Sequence, residues 1–391
     1  MHNVINLYKA LTTQESGGVN DEESSGIRTC PGFEIEVGFE SVESAPRPLL
    51  VAEPERYKKP YGEKYFAKPH FNFLGTDAKD GPIALSIRIT ERRTTLSGSE
   101  EAVAIALLRS RRGEYEDTFR IPLKKSGMDV AQGEALKHYK KVINERYALV
   151  AFQYVPRAEL DFALKEYEDK LFVTRYKFGI LYVTGDQGSN EDDMYSNRTG
   201  SERFEHFLTR LGTKVAMQGW QKYRAGLDTI ENATGPYSIY TEWRGFEIMF
   251  HVSTYLPYSE VNPQQVERKR HLGNDIVILV FHDGKGVFDP SCIRSHFNHV
   301  FVIVRPVFVE GEKTPHYKVS VVYKGEVLPF LPRFPKDYIF EEGEYFREFV
   351  LTKLINAENS ALRTSQFTTK SFNTKKDILL DITDKYMTKT K

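Results

Sequence analysis

Cysteine is nearly absent from this chain: Cys30 and Cys292 are the only two in 391 residues. Two thiols exclude a disulfide-dense secreted scaffold and any four-cysteine zinc site. Net charge is absent too, with 54 Lys+Arg against 54 Asp+Glu. That balance argues against wholesale nucleic-acid binding, which shows as a basic domain with a clustered Lys/Arg face. No stretch holds the roughly 18 apolar residues of a membrane-spanning helix, and runs such as Ala102–Leu108 and Ile276–Phe281 are strand-sized. No integral membrane segment is therefore expected.

Targeting and cofactor signals are missing as well. Met1-His2-Asn3-Val4-Ile5-Asn6 has no basic region leading into an apolar one, so no signal peptide is read there. The chain ends without a prenylation box, and residue 2 is not the glycine that myristoylation needs. The two glycosylation sequons, at Asn197 and Asn232, are accordingly read as chance, and the expected compartment is the cytoplasm. There is no Gly-x-x-x-x-Gly-Lys-Ser/Thr loop, no Gly-x-Gly-x-x-Gly after a strand, no Gly-x-Ser-x-Gly elbow and no His-Glu-x-x-His. No nucleotide site of the chain's own and no cofactor are expected. His282, His296 and His299 lack converging carboxylates or thiols, so no metal site is expected either.

What is present is enough apolar material for two or three domains: 40% hydrophobic residues, 13% of the chain aromatic. Residues 1–60 carry ten acidic and six basic side chains and Ser/Gly- and Pro-rich stretches, and read as flexible apart from a strand at Gly32–Phe39. Residues 61–172 are strand-rich: Ile83–Thr90 largely alternates, and Ala102–Leu108 suits a buried strand. Asp129–Ile143 reads as a helix, and Leu160, Phe162 and Leu164 as a strand. From residue 173 to about 365 strands and helices alternate, which indicates an α/β layer fold. Its helices are expected at Thr199–Leu211, with a Thr199-x-x-Glu202 capping box, at Pro263–Leu272 with Asn262 as cap, at Asp289–His296, and at Tyr345–Ala357. Residues 366–391 read as a basic C-terminal extension.

The densest polar constellation is Gln264-Gln265-Val266-Glu267-Arg268-Lys269-Arg270-His271-Leu272-Gly273-Asn274-Asp275. At ~100° per residue, Arg268, Lys269, Arg270 and His271 fan around a helix rather than lining one stripe. Arg270 and His271 share a face with Asn274 if the helix continues across Gly273. The apolar strand Ile276–Phe281 follows directly and would anchor that face. By residue type alone, the group reads more readily as a solvated helix end with Asn-Asp capping.

Five segments carry a resemblance. They are Tyr176-Lys177-Phe178-Gly179-Ile180-Leu181-Tyr182, Ile248-Met249-Phe250-His251-Val252-Ser253-Thr254, Arg268 through Asp275, Ile293-Arg294-Ser295-His296-Phe297-x-His299, and Lys353-Leu354-Ile355-Asn356-Ala357-Glu358-Asn359. In this order they resemble the RapGAP domain, most nearly its signal-induced proliferation-associated branch, over about residues 175–360. The resemblance implies a catalytic domain with a G-domain-like mixed sheet and helices, preceded by a strand-rich α+β domain that can form a homodimer. It implies a protein that accelerates GTP hydrolysis by a GTP-loaded Rap-type small GTPase. Rap lacks the glutamine that orients the attacking water, and the family supplies an asparagine in trans. Asn274 matches that asparagine, His271 the histidine beside it, and Arg268, Lys269 and Arg270 the basic residues that hold the partner. His251 and Tyr258 are read as packing residues. Two other readings stay open: a different small GTPase such as Rheb or Ral as substrate, or a scaffold that binds a GTPase without hydrolysis.

Overall fold

The computed structural model describes residues 25–36, 38, 59–123, 129–336 and 338–387. The stretches Glu15–Gly18 and Ser44–Pro54, read above as flexible, lie outside the described residues. The described residues form two compact units, one drawn from Met1–Glu55 and Thr174–Ala361, the other from Arg56–Val173 and Leu362–Lys391. Strands and helices are numbered separately in chain order. The first strand, β1 (Phe33–Ile35), falls inside the run expected to be extended and belongs to the larger unit.

The smaller unit is built on a five-stranded antiparallel sheet in the order β5-β4-β3-β2-β6. Its strands are β2 (Phe71–Asp77), β3 (Gly81–Thr94), β4 (Glu100–Ser110), β5 (Gly113–Pro122) and β6 (Gln153–Tyr154). Both faces are covered, which explains why Ala102–Leu108 reads as nearly continuous apolar sequence. One face, with Ile83, Leu85, Ile87 and Leu108, packs on Tyr139 of α2 (Gln132–Tyr139) and Tyr147 of α3 (Glu145–Ala148). The other, with Leu74, Ala84 and Leu107, packs on Tyr61 of α1 (Pro60–Lys64) and on α4 (Ala158–Leu171). α4 replaces the strand expected at 160–164. Leu160, Leu164 and Tyr167 recur at helical spacing and are buried, while Phe162, which suggested alternation, is 65% exposed.

The larger unit is a nine-stranded mixed sheet, ordered β1-β13-β12-β11-β7-β10-β9-β8, with β14 (Ile339–Glu341) also pairing β13. Its four central strands run parallel: β12 (Val300–Val307), β11 (Val277–Asp283), β7 (Arg175–Thr184) and β10 (Phe246–Val252). Antiparallel strands flank them, β13 (His316–Lys324) on one side and β9 (Tyr237–Trp243) with β8 (Thr213–Ala216) on the other. β11 is buried along its apolar length, as expected of a strand covered on both faces.

One face carries α6 (Glu202–Leu211), whose Phe204 and Phe207 pack on Tyr182 and Phe281, and α8 (Glu344–Ala361), whose Phe346 meets Phe207. The opposite face holds Leu181, Val183, Ile278 and Val280 against Met194 and Tyr195 of α5 (Glu191–Tyr195) and Leu272 of α7 (Val266–Leu272). The cap of α6 is Ser201, whose Oγ accepts from the Phe204 amide at 3.2 Å, rather than Thr199. α8 is buried nearly all round, where an amphipathic stripe was expected. Asp289–His296 forms only a single 3₁₀ turn, Pro290–Cys292, capped by Asp289. The N-terminal strand is fixed by Glu36, whose carboxylate pairs at 2.5 Å with the fully buried Lys353.

Most of the stretch read as a basic C-terminal extension forms a helix, α9 (Ser365–Tyr386), in the smaller unit, with Leu379, Ile382 and Tyr386 buried at helical spacing. Among the described residues no helix is long and apolar enough to cross a membrane.

Candidate functional site

The connection from β10 to β11 passes over β7, because β7 lies between them. It carries a loop and α7, and returns the chain to the start of the parallel strands. The turn 273–275 therefore sits beside the amino end of β7, where Lys177 reaches it. Open α/β sheets usually bind ligands beyond the carboxyl ends of their strands; this constellation occupies the opposite edge.

The loop before α7 explains where the helix starts. Asn262 does not cap it; its Oδ1 accepts from the Gln264 amide, a local turn before and across Pro263. Gln265 takes a left-handed conformation (φ 49°), and its buried side chain bonds Ser259 N, Ser259 O and Asn262 O. The helix then runs only from Val266 to Leu272.

The four cationic positions of α7 have different environments. Arg268 is 1% exposed, and its guanidinium donates to the carbonyls of Tyr195, Asn197, Leu256 and Pro257. It also lies over the Tyr258 ring, and burial lowers its pKa to about 10. Arg268 thus ties three chain segments together and is not presented to a partner. Lys269 is half-buried and pairs with Glu191 at 3.1 Å and with Asp192. Arg270 is exposed, with Glu267 at 3.0 Å one turn back. His271 lies edge-on to His251, ring centroids 5.4 Å apart. Burial and the neighbouring His251 and Arg270 lower its pKa to about 4, so the ring is neutral at physiological pH. Its side chain makes no hydrogen bond to Asn274; it is the His271 carbonyl that accepts from the Asn274 amide, at 3.1 Å.

Asn274 is exposed. Its Nδ2 donates to the Arg270 carbonyl at 2.7 Å, and because that carbonyl can only accept, the orientation of the side-chain amide is fixed. Beneath it, Asp275 is fully buried: Oδ1 accepts from Lys177 Nζ at 2.8 Å and Oδ2 faces His251 Nδ1 at 2.8 Å. His251 Nε2 in turn faces the Ala225 carbonyl at 3.0 Å. The packing role expected for His251 is thus joined to a polar one.

From the end of α7 onward, four consecutive carbonyls are held by side chains. Here Leu272 O accepts from Asn298 Nδ2 at 2.9 Å, and Gly273 O from Ser295 Oγ at 2.6 Å. Asn274 O accepts from Lys177 Nζ at 2.7 Å, and Asp275 O from Asn298 Nδ2 at 2.6 Å. Gly179 of β7 lets the turn approach: a Cβ there would lie 2.5 Å from Ile278 Cδ1 and 3.2 Å from Asp275 Oδ2. The structure therefore brings Asn274, His271 and Arg270 together and turns Arg268 inward.

The sequence assigned no role to Lys177, Gly179, Ser295 or Asn298, and to Asp275 only helix-end capping. A lysine and a glycine side by side with aromatics in an otherwise buried strand were the available signal for the first two. Among the described residues no group of three His, Cys, Asp or Glu side chains comes together to hold a metal ion.

Residues 194–376 match the family model described as Rap/ran-GAP. The chain is 32% identical, over 91% of its length, to RapA guanosine triphosphatase-activating protein 1 of Dictyostelium discoideum, of which it covers 38%. It is 38% identical, over 81% of its length, to GTPase-activating Rap/Ran-GAP domain-like protein 3 of Danio rerio, covering 30% of it. Over 97% of its length it is 34% identical to signal-induced proliferation-associated 1-like protein 1 of Mus musculus, covering 22% of it. Among solved structures, the TSC2 GAP domain matches 51% of this chain and 99% of its own at 26% identity, with a TM-score of 0.41. The chain spans less than two fifths of the length of these curated relatives. Residues 194–376 therefore carry a Rap/ran-GAP domain, and the chain is similar along most of its length to relatives named for GTPase activation.

Proposed function

We propose that this chain accelerates GTP hydrolysis by a GTP-loaded, Rap-type small GTPase, and that Asn274 is the group it inserts beside the partner's nucleotide. The observation that carries the reading is an exposed asparagine on a turn whose backbone is held from two sides, by Lys177 and by Ser295 with Asn298. A carboxamide suits this role, since its oxygen accepts from the attacking water while its second N–H donates toward the γ-phosphate. Among the described residues Asn274 Oδ1 makes no hydrogen bond, so it is available for that water. Phosphoryl transfer needs little covalent help, and positioning dominates. A GAP-scale acceleration of ~10⁵ corresponds to about 7 kcal/mol off the barrier.

Arg270 supplies exposed positive charge beside Asn274 and is proposed to steer the partner's acidic face. Lys269 shares in that field while anchored to α5. His271 is proposed to hold the turn through its carbonyl and its packing on His251. The smaller unit is proposed to form a homodimer, which sedimentation equilibrium of the full chain tests. The names of the relatives, GTPase-activating proteins for RapA and of Rap/Ran-GAP type, support the choice of substrate.

The test is single-turnover hydrolysis by a panel of GTP-loaded Rap, Rheb and Ral with the chain added. The expected result is acceleration largest for Rap. A larger effect on Rheb or Ral moves the substrate, stable binding without turnover makes the chain a scaffold, and no effect on any of them rejects the proposal.

A further inference from the structure

We infer that Asn298 is a positioning residue for Asn274, holding the reactive amide in place without touching the partner; this rests on the reading of Asn274 as the catalytic group.

A helix normally ends on a left-handed glycine or on water-bound carbonyls. Here Gly273 is right-handed (φ −66°, ψ −14°), so the usual device is not used. Backbone amides close the last turn, Gly273 N on Lys269 O, Asn274 N on His271 O and Asp275 N on Leu272 O, and the four consecutive carbonyls 272 to 275 also receive side-chain donors from elsewhere in the fold. One residue supplies two of the four: Asn298 Nδ2 bonds Leu272 O and Asp275 O, the carbonyls that bracket the Gly273–Asn274 pair. Asn298 is itself set by Ser295, whose Oγ accepts from the Asn298 amide at 3.4 Å and from the Phe297 amide at 3.1 Å.

Two further observations point to positioning rather than to stability alone. Asn298 is 1% exposed, so any effect it has on a bound protein must travel through the turn. Its Oδ1 is buried and, among the described residues, has no hydrogen-bond partner. A buried acceptor left unpaired is costly, and departures of this kind concentrate where a site demands a particular geometry. What Asn298 contributes is its NH₂ group, and with it the distance between two ends of one turn.

The experiment compares wild type, Asn298→Asp and Asn298→Ala as full chains. Asn298→Asp keeps the shape and replaces both donors with an acceptor; Asn298→Ala serves if the carboxylate prevents folding. Single-turnover GTP hydrolysis by Rap, titrated with each chain, separates kcat from the half-saturating concentration. The expected result is kcat lower by about tenfold or more with half-saturation changed less than about twofold, as for a misplaced reactive group. Amide exchange in the free chain should be about tenfold faster at Gly273, Asn274 and Asp275 while β11 keeps its protection. Unchanged kcat in a folded variant, or a loss confined to half-saturation, overturns the inference. If wild type accelerates no GTPase, the proposed function fails and exchange alone decides: faster exchange at 273–275 keeps the clamp, unchanged exchange removes it.

Discussion

Asn274 donates its side-chain amide to the backbone carbonyl of Arg270, four residues earlier, at 2.7 Å. The exposed amide of Asn274 and the exposed side chain of Arg270 are therefore carried on one turn of chain. Below that turn, half-buried Lys177 and buried Asp275 and His251 form a polar chain to the Ala225 carbonyl, which links it to the start of β7 and to the loop before β9.

The two arginines of α7 should behave oppositely. Arg268→Met strips donors from four carbonyls, each of which costs about 1–3 kcal/mol when left unpaired in a buried site. A loss of about 3 kcal/mol or more in urea unfolding is expected. Arg270→Met, at an exposed side chain, should stay within about 0.5 kcal/mol of wild type. It should instead flatten the salt dependence of association with the GTPase, measured by stopped flow.

Gly179→Ala should destabilise by about 1–3 kcal/mol, because its Cβ collides with Ile278 beneath the candidate site. Gly133→Ala is the matched control. Gly133 lies in the first turn of α2 with nothing among the described residues within 4 Å of a Cβ, and the substitution should stabilise by about 0.5–1 kcal/mol. Denaturant midpoints of the two variants check both signs.

Acid should weaken the fold through its neutral histidines. Arg305 donates to His282 Nδ1, and burial with that neighbouring charge lowers the His282 pKa from 6.5 to about 4. His271 is lowered to about 4 as well. Between those values the unfolded chain binds protons that the folded chain does not, so stability is full above pH 6.5 and falls as pH drops toward 4. His282→Asn, whose Oδ1 can accept from Arg305, should lose less stability than wild type between pH 6.5 and 4.5. Parallel pH profiles of the two proteins would remove His282 from the account.

Much of the larger unit was legible because its signals are strong. Ile276–Phe281 is unbroken and apolar, and it became β11 at the centre of the sheet. The smaller unit misled where one exposed aromatic imitated alternation: Phe162 masked the helical spacing of Leu160, Leu164 and Tyr167. The same spacing in Leu379, Ile382 and Tyr386 was present in the sequence but was outweighed by the basic composition around it. At the candidate site, the sequence placed Asn274, His271 and Arg270 on one side of a helix end. It could not show that Arg268 turns inward, because that depends on carbonyls of residues 195, 197, 256 and 257 that only the fold assembles. Asn298 was invisible for the same reason: its partners lie 26 and 23 residues away.

The most direct test is single-turnover GTP hydrolysis by GTP-loaded Rap in the presence of wild type and of Asn274→Ala. Asn274 is exposed and its side chain makes one hydrogen bond among the described residues, so the variant should unfold within about 2 °C of wild type. Its acceleration of hydrolysis should fall by about 10²-fold or more, the scale of losing one preorganised polar group at a developing charge. An Asn274→Ala chain that accelerates hydrolysis as well as wild type would contradict the account.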